Sequence, residues 1–435
     1  MTNELAYVAL LFGLLVLPKA LQRIRIPAAI TCLGLGLLFG EGFGLFREDP
    51  TVHLLSTFGI AALFLFAGLD VDSTSLRRGA QVLIEHLIIR ALTLSLAAFA
   101  IVRLFPLGPR AAMLVALALF IPSTGFILDS LGSLRATEDE RFWIRTKAIS
   151  SELLALAVLF VTLQSTSPER LALSGAALVA MAAFLPLLLR FLVARIAPYA
   201  PNSEFAFLLM VAVIFAYATR QLGVYYLVGA FLVGVAARRM REQLPRLASD
   251  RNLHAVEVFA SFFVPFYFFN AGLGITRDAL TWRALSIGVA FAVVVIPLRL
   301  ALDIVQRRAR LAEPWRKGMR VAVPLIPTLV FTLVLAQILR EQFALDPSLF
   351  GGLIVYTVLA TLTPTFLLRA PPAVAELDLM PAGGPYAGPL APEAAFVPAA
   401  ATTEVSPGVA SPDERDGRLG PPESGLIPPA ARDAT

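Results

Sequence analysis

Thirteen apolar runs of roughly 20 residues, each long enough to cross a hydrocarbon core of about 30 Å, constrain this chain to a bundle of membrane-spanning helices. The composition excludes an ordinary soluble domain, since 57% of residues are hydrophobic and only 15% are charged. The expected fold class is therefore an all-α polytopic membrane protein surrounded by a lipid bilayer. The first run carries Glu4 with no Lys or Arg ahead of it, the wrong charge for a secretory signal, and counts as a span. Cys32 is the single cysteine, so no intrachain disulfide can form. No basic patch with interleaved aromatics points to nucleic acid.

Loop charge gives the orientation, because Lys and Arg are retained on the cytoplasmic side. Alternate loops hold roughly 22 basic residues against 8, which places the N-terminus outside and the C-terminus in the cytoplasm of a multi-pass plasma-membrane protein. Residues 370–435 turn to Pro, Ala and Gly and cannot bury enough apolar surface to order themselves, so they are expected to form a disordered tail behind a transmembrane domain spanning 1–369.

The sixth run, Arg141 to Leu163, contains a carboxylate, Glu152, that hydrocarbon does not tolerate without a partner or a watery cavity. Helix rise places Glu152 about 10 Å below the cytoplasmic edge, and Arg299 in the eleventh run about 12 Å below the same edge. The fifth run, Pro109 to Leu131, holds Ile121-Pro122-Ser123-Thr124-Gly125; the twelfth, Gly318 to Leu339, holds Val323-Pro324-Leu325-Ile326-Pro327-Thr328. Proline removes a donor and clashes with the preceding turn, so both helices should break, at about 9–15 Å depth. Broken helices in corresponding positions of two halves point to a transporter site built from inverted repeats.

Ser123, Thr124 and Thr328 either contribute ligands there or satisfy backbone groups freed by the prolines. Arg299 either neutralises Glu152 or pairs with Asp303 one turn along its own helix. Glu85 and Arg90 are candidates for a core network, and Asn270 for a cross-helix bond or a cavity wall. Asp70 and Asp129 are expected at solvated helix ends; Gly34, Gly36 and Gly40 are expected at close helix crossings.

The stretches RIRIPAAITCLGLGLLFG, FGIAALFLFAGLDVDSTSLRR, LGVYYLVGAFLVGVAAR, FFVPFYFFNAGLGI and LFGGLIVYTVLATLTP, in this order and spacing, resemble the cation/proton antiporter superfamily, in its bacterial sodium/proton antiporter and potassium-efflux branch. The resemblance covers nearly all of the chain up to Arg369. It implies two unwound, crossing helices and a mobile core domain, approximately residues 80–163 and 282–369. A dimerisation domain, approximately 4–70 and 203–275, and a linker helix, 169–194, would complete a homodimer. It puts the family's paired acidic motif on Ser151-Glu152 and its basic residue on Arg299.

Three positions depart from the family pattern: Ser151 replaces an Asp or Asn, Glu152 replaces Asp, and Thr328 stands where the efflux branch often has Glu. With one acid rather than two, the resemblance implies electroneutral exchange of Na+ or K+ for a proton on Glu152, with no further cofactor. Alternatives are a transport-incompetent sensor or scaffold and a channel-like K+ efflux protein. An enzyme is disfavoured, since no HExxH or GxSxG motif is present.

Overall fold

The computed structural model describes residues 3–71, 79–124, 127, 136–200, 203–241 and 250–367. The expected tail and Asp129 lie outside the described residues. All regular structure among the described residues is helical. The helices are α1 (Asn3–Gln22), α2 (Ala28–Leu37), α3 (Pro50–Leu69), α4 (Ala80–Leu104), α5 (Pro109–Phe120), α6 (Glu138–Gln164) and α7 (Pro168–Phe191). They continue with α8 (Glu204–Gln221), α9 (Tyr226–Arg239), α10 (Asp250–Leu273), α11 (Trp282–Leu311), α12 (Trp315–Ala322), α13 (Leu329–Phe343) and α14 (Pro347–Leu367). Among these residues nine helices are long and apolar enough to cross a membrane. A tenth span is formed if α12 and α13, bent by 47° at their break, count as one; Ala28–Gly42 and Pro109–Phe120 are shorter apolar helices.

Local chemistry sets many of the boundaries. Asp49 caps α3 by accepting from the Thr51 and Val52 amides, with Pro50 at the first helical position. Thr137 and Glu140 form a reciprocal capping box at the start of α6, so this helix begins at Glu138, before the expected Arg141. Ala312 and Ala344 close α11 and α13 in the left-handed conformation. Gly223 makes a tight turn between α8 and α9, where φ is +72°, a value glycine adopts without a Cβ clash.

Two packing groups emerge. α3 lies against α8, α9 and α10, and α2 against α1 and α10. Separately, α4, α5, α6, α11, α12, α13 and α14 pack on one another, while α7 touches both α6 and α9. Burial does not track hydropathy: 67% of the most apolar stretch of α6 is buried, against 17% for α1 and α7. The last two expose their apolar side chains where lipid would be.

The α2–α10 crossing is close because Gly36 faces Gly272, and a Cβ at Gly36 would collide with the Phe269 carbonyl oxygen. Gly40 lies 3.2 Å, measured from its ideal Cβ position, from the Leu273 backbone. Gly34 differs from the expectation, because nothing approaches its Cβ position within 4 Å. Gly36→Ala is therefore expected to destabilise the protein by about 1–3 kcal/mol through overpacking, and Gly34→Ala to leave it nearly unchanged. Thermal unfolding of the two purified variants in the same detergent checks the contrast.

Candidate functional site

The breaks expected in two helices are present and meet each other. α5 ends at Phe120, and Ile121 to Ser123 run non-helically past Pro122. α12 ends at Ala322 and passes through a 3-10 turn, Val323–Leu325, before α13 starts beyond Thr328. The Ser123 amide donates to the Pro327 carbonyl at 2.8 Å, tying one interruption to the other.

Helix ends inside an apolar core leave carbonyls without partners, and each costs energy unless bonded. Arg299, completely buried on α11, answers several of them at once. Its Nη1 donates to the carbonyls of Leu119 at 3.3 Å and Ile326 at 2.9 Å, and its Nη2 to the carbonyl of Leu325 at 2.5 Å. Nη1 also lies 3.1 Å from the Tyr356 hydroxyl, which itself donates to the Leu119 carbonyl at 2.5 Å. Thr332 adds a bond to the Ala118 carbonyl at 2.7 Å.

Glu152 lies on α6 with 2% of its surface exposed, and its Oε2 is buried without a hydrogen-bond partner among the protein's own groups. It borders a cavity of about 10 Å³, at the lower limit for one water molecule, lined also by Ser123, Thr124, Leu63, Phe64, Val330 and Phe331. The Thr124 hydroxyl donates to the Ala148 carbonyl at 3.2 Å, one turn before Glu152 on the same helix. Ser123, Thr124 and Glu152 are thus brought together as expected.

The other sequence candidates go elsewhere. Arg299 does not neutralise Glu152: among the described residues no ion pair joins them, because the guanidinium is engaged by carbonyls. Nor does Arg299 pair with Asp303. Asp303 binds Arg90 at 3.1 Å and Lys147 at 3.0 Å, with all three side chains at most 3% exposed. Arg90 therefore belongs to a core network, whereas Glu85 is an exposed partner of Arg310 outside it. Ser151 turns away from Glu152, and its hydroxyl meets His86 Nε2 at 2.9 Å. Thr328 bonds Thr357 at 3.0 Å and does not line the Glu152 cavity. Asn270 lines a separate cavity of about 170 Å³ with His53, Gln337 and Arg340.

Sequence reasoning missed Lys147, His86, Gln306 and Tyr356. Helical spacing held a signal for the first two: Lys147–Ser151 and His86–Arg90 are both four residues apart, so each pair shares a helix face. Beyond the end of this network, Arg307 stacks on Trp143 with its carbon 5.1 Å from the ring centroid and pairs with Asp139 at 2.6 Å and Glu313 at 2.9 Å. In the turn after α11, that Arg307 hydrogen bond holds the Glu313 carboxyl below the usual carboxylate range.

A family model described as "Sodium/hydrogen exchanger, transmembrane" matches residues 7–370. The chain belongs to that family. This exchanger-family chain is 26% identical over 353 residues to the Na(+)/H(+) antiporter NhaS5 of Synechocystis sp., covering 76% of its own length and 48% of that relative. It thus spans about half of that protein's length. It is 22% identical over 365 residues to the Probable Na(+)/H(+) antiporter 3 of Methanocaldococcus jannaschii, covering 80% of itself and 92% of the relative. Its fold matches the structure of the sodium proton antiporter MjNhaP1 of the same organism with a TM-score of 0.62 and 15% identity, over 84% of this chain and 95% of that one. The exchanger-family assignment agrees with the resemblance drawn from the sequence and with a multi-pass membrane protein.

The Arg299 fork generates a prediction about stability. Arg299→Ala would strand several buried acceptors at about 1–3 kcal/mol each, and Arg299→Lys would recover only part of the loss because an ammonium cannot fork across three carbonyls. The expected order of melting temperatures in detergent is wild type, then Lys, then Ala.

Proposed function

We propose that this chain exchanges a monovalent cation, Na+ or K+, for a proton, with both competing for Glu152. The observation that carries the reading is the buried, unpartnered Glu152 Oε2 beside the Ser123 and Thr124 hydroxyls at the broken-helix crossing. A buried oxygen with no protein partner is a poor resting state for a carboxylate. A proton satisfies it, and so does a small cation whose hydration shell is partly replaced by the two hydroxyls. Occupancy by one guest excludes the other, which is the coupling that exchange requires. Names of the relatives, Na(+)/H(+) antiporters, support the same chemistry.

One carboxylate for one positive guest makes the exchange electroneutral. The group containing α4, α5, α6 and α11 to α14 carries the site and moves against the group containing α3, α8, α9 and α10, exposing Glu152 to alternate sides of a plasma membrane. The protein works as a homodimer through that second group, with the N-terminus outside and the C-terminus in the cytoplasm.

Glu152→Gln mimics the protonated acid permanently. It is expected to reduce Na+- or K+-driven dequenching of a pH dye in proteoliposomes to the level of empty vesicles, with the melting temperature little changed. Wild-type exchange is expected to fall as pH drops, because protons then hold the seat. Undiminished exchange by the Gln variant would reject Glu152 as the shared site.

A further inference from the structure

The cavity of about 170 Å³ lies between the two packing groups. α3 and α10 supply His53 and Asn270 to it, while α13 and α14 supply Leu333, Gln337 and Phe350. Its volume has room for several water molecules beside those polar side chains. No residue lining it is acidic, and Arg47 and Arg340 are cationic, so it is not a second seat for a cation.

This cavity and the Glu152 cavity share a face of α13. Val330 borders the Glu152 cavity, and Leu333, Gln337 and Arg340 follow it at spacings of three, four and three residues, which keeps all four on one side of the helix. Helix rise sets Gln337 about 10 Å beyond Val330, in the direction away from α12. The two cavities have no lining residue in common, and buried Leu333 is the step between Val330 and Gln337 in this row.

Arg340 joins the two groups at the cavity. The Gly274 amide bonds the Asn270 carbonyl at 3.2 Å, so Gly274 completes the last turn of α10, and its own carbonyl is one of the acceptors that a helix end leaves free. Arg340 Nη1 donates to that carbonyl. On its own side the guanidinium carbon stands 4.8 Å from the ring centroid of Phe350 on α14. A cationic cap on a helix C-terminus needs no movement to explain it. This cap, however, has its donor in the group that carries Glu152 and its acceptor in the group that does not. If Glu152 faces alternate sides because the groups slide, the bond cannot be made in both positions.

We infer that the cavity is the closed outer vestibule of the exchange path and that the Arg340–Gly274 bond is the latch that holds it shut. The inference rests on the reading in which the two groups move and Glu152 is the shared seat. With the latch made, water in the vestibule stops at Leu333. When the groups slide, the guanidinium leaves the Gly274 carbonyl, and the row from Gln337 through Leu333 to Val330 becomes the wall of a wet route to Glu152. Weakening the latch shifts the protein toward the outward-open state.

The single cysteine, Cys32, is buried, so Cys32→Ser provides a background for introduced thiols. Leu333→Cys in that background is treated with a membrane-impermeant maleimide added outside intact cells. Labelling is expected to be slow, and to become about 3- to 10-fold faster when Arg340→Gln is added, since a hydrogen bond from a charged group is lost from the closed state alone. Arg340→Lys keeps the charge and a donor, and is expected to label close to the slow rate. Equal rates with Arg, Lys and Gln at this position, or labelling from inside-out vesicles only, would overturn the latch.

A second arm leaves Arg340 intact. Asn270→Cys and Gln337→Cys place one thiol on each group across the cavity. Bridging them with a short, reducible bifunctional reagent is expected to stop cation-driven exchange in proteoliposomes, and reduction to restore it to the level of the unbridged pair. Exchange that continues through the bridge means that the walls do not part, and rejects the inference even where Arg340→Gln fails to fold. Glu152→Gln separates the two readings: exchange by that variant rejects the shared seat, whereas labelling of Leu333→Cys needs no transport and still decides the latch.

Discussion

Two helices interrupted inside an apolar core create carbonyl oxygens that neither lipid nor a continuing helix can bond, and Arg299 is the group that meets them. A guanidinium has five donors in a planar fork, so one side chain reaches oxygens from the end of α5 and from the turn between α12 and α13. Tyr356 and Thr332 bond neighbouring carbonyls of α5, and the Ser123–Pro327 backbone bond closes the crossing. The interruptions are thereby fixed in place rather than left as loose backbone.

That use of Arg299 determines the state of Glu152. Had the guanidinium turned to the carboxylate, the site would be a closed ion pair and the crossing would lose its bonds. Instead the arginine charge is taken up by backbone dipoles, and one carboxylate oxygen remains open. Adjacent residues on α6 divide the work, because successive side chains are rotated by about 100° around a helix. Ser151 joins a buried hydrogen-bond network through His86, while Glu152 faces a cavity with two hydroxyls.

Much of this was legible in the sequence. An acid in an apolar run, and prolines at one depth in two runs, announced Glu152 and the crossing with Ser123 and Thr124, because hydrocarbon makes every such residue conspicuous. Partner choice was not legible. Asp303 has Arg299 one turn away on its own helix, yet bonds Arg90 and Lys147, which lie on other helices; sequence spacing sees only the first pairing. Lys147 escaped notice for a related reason. Basic residues near the start of a run read as loop charge, whereas the Thr137 capping box begins α6 at Glu138 and carries Lys147 into the fully buried part.

The walls of the Glu152 cavity differ in a way that bears on how access could change. Every polar group at the cavity comes from the packing group that includes α5 and α6, while α3 presents Leu63, Phe64 and Ala67. Phe64 meets Phe331 edge-on, with ring centroids 5.6 Å apart. An apolar wall makes no hydrogen bond to the carboxylate or to its guest, so sliding it across the site breaks none. The cost of such a displacement is dispersion and apolar contact, which re-forms one helical turn further along a surface of similar side chains. A polar wall would have to break and remake bonds at each step, and its barrier would be higher by the strength of each bond broken. The sequence of α3, nearly free of polar groups along its buried length, therefore gives the Glu152 cavity a wall that makes no hydrogen bonds to it.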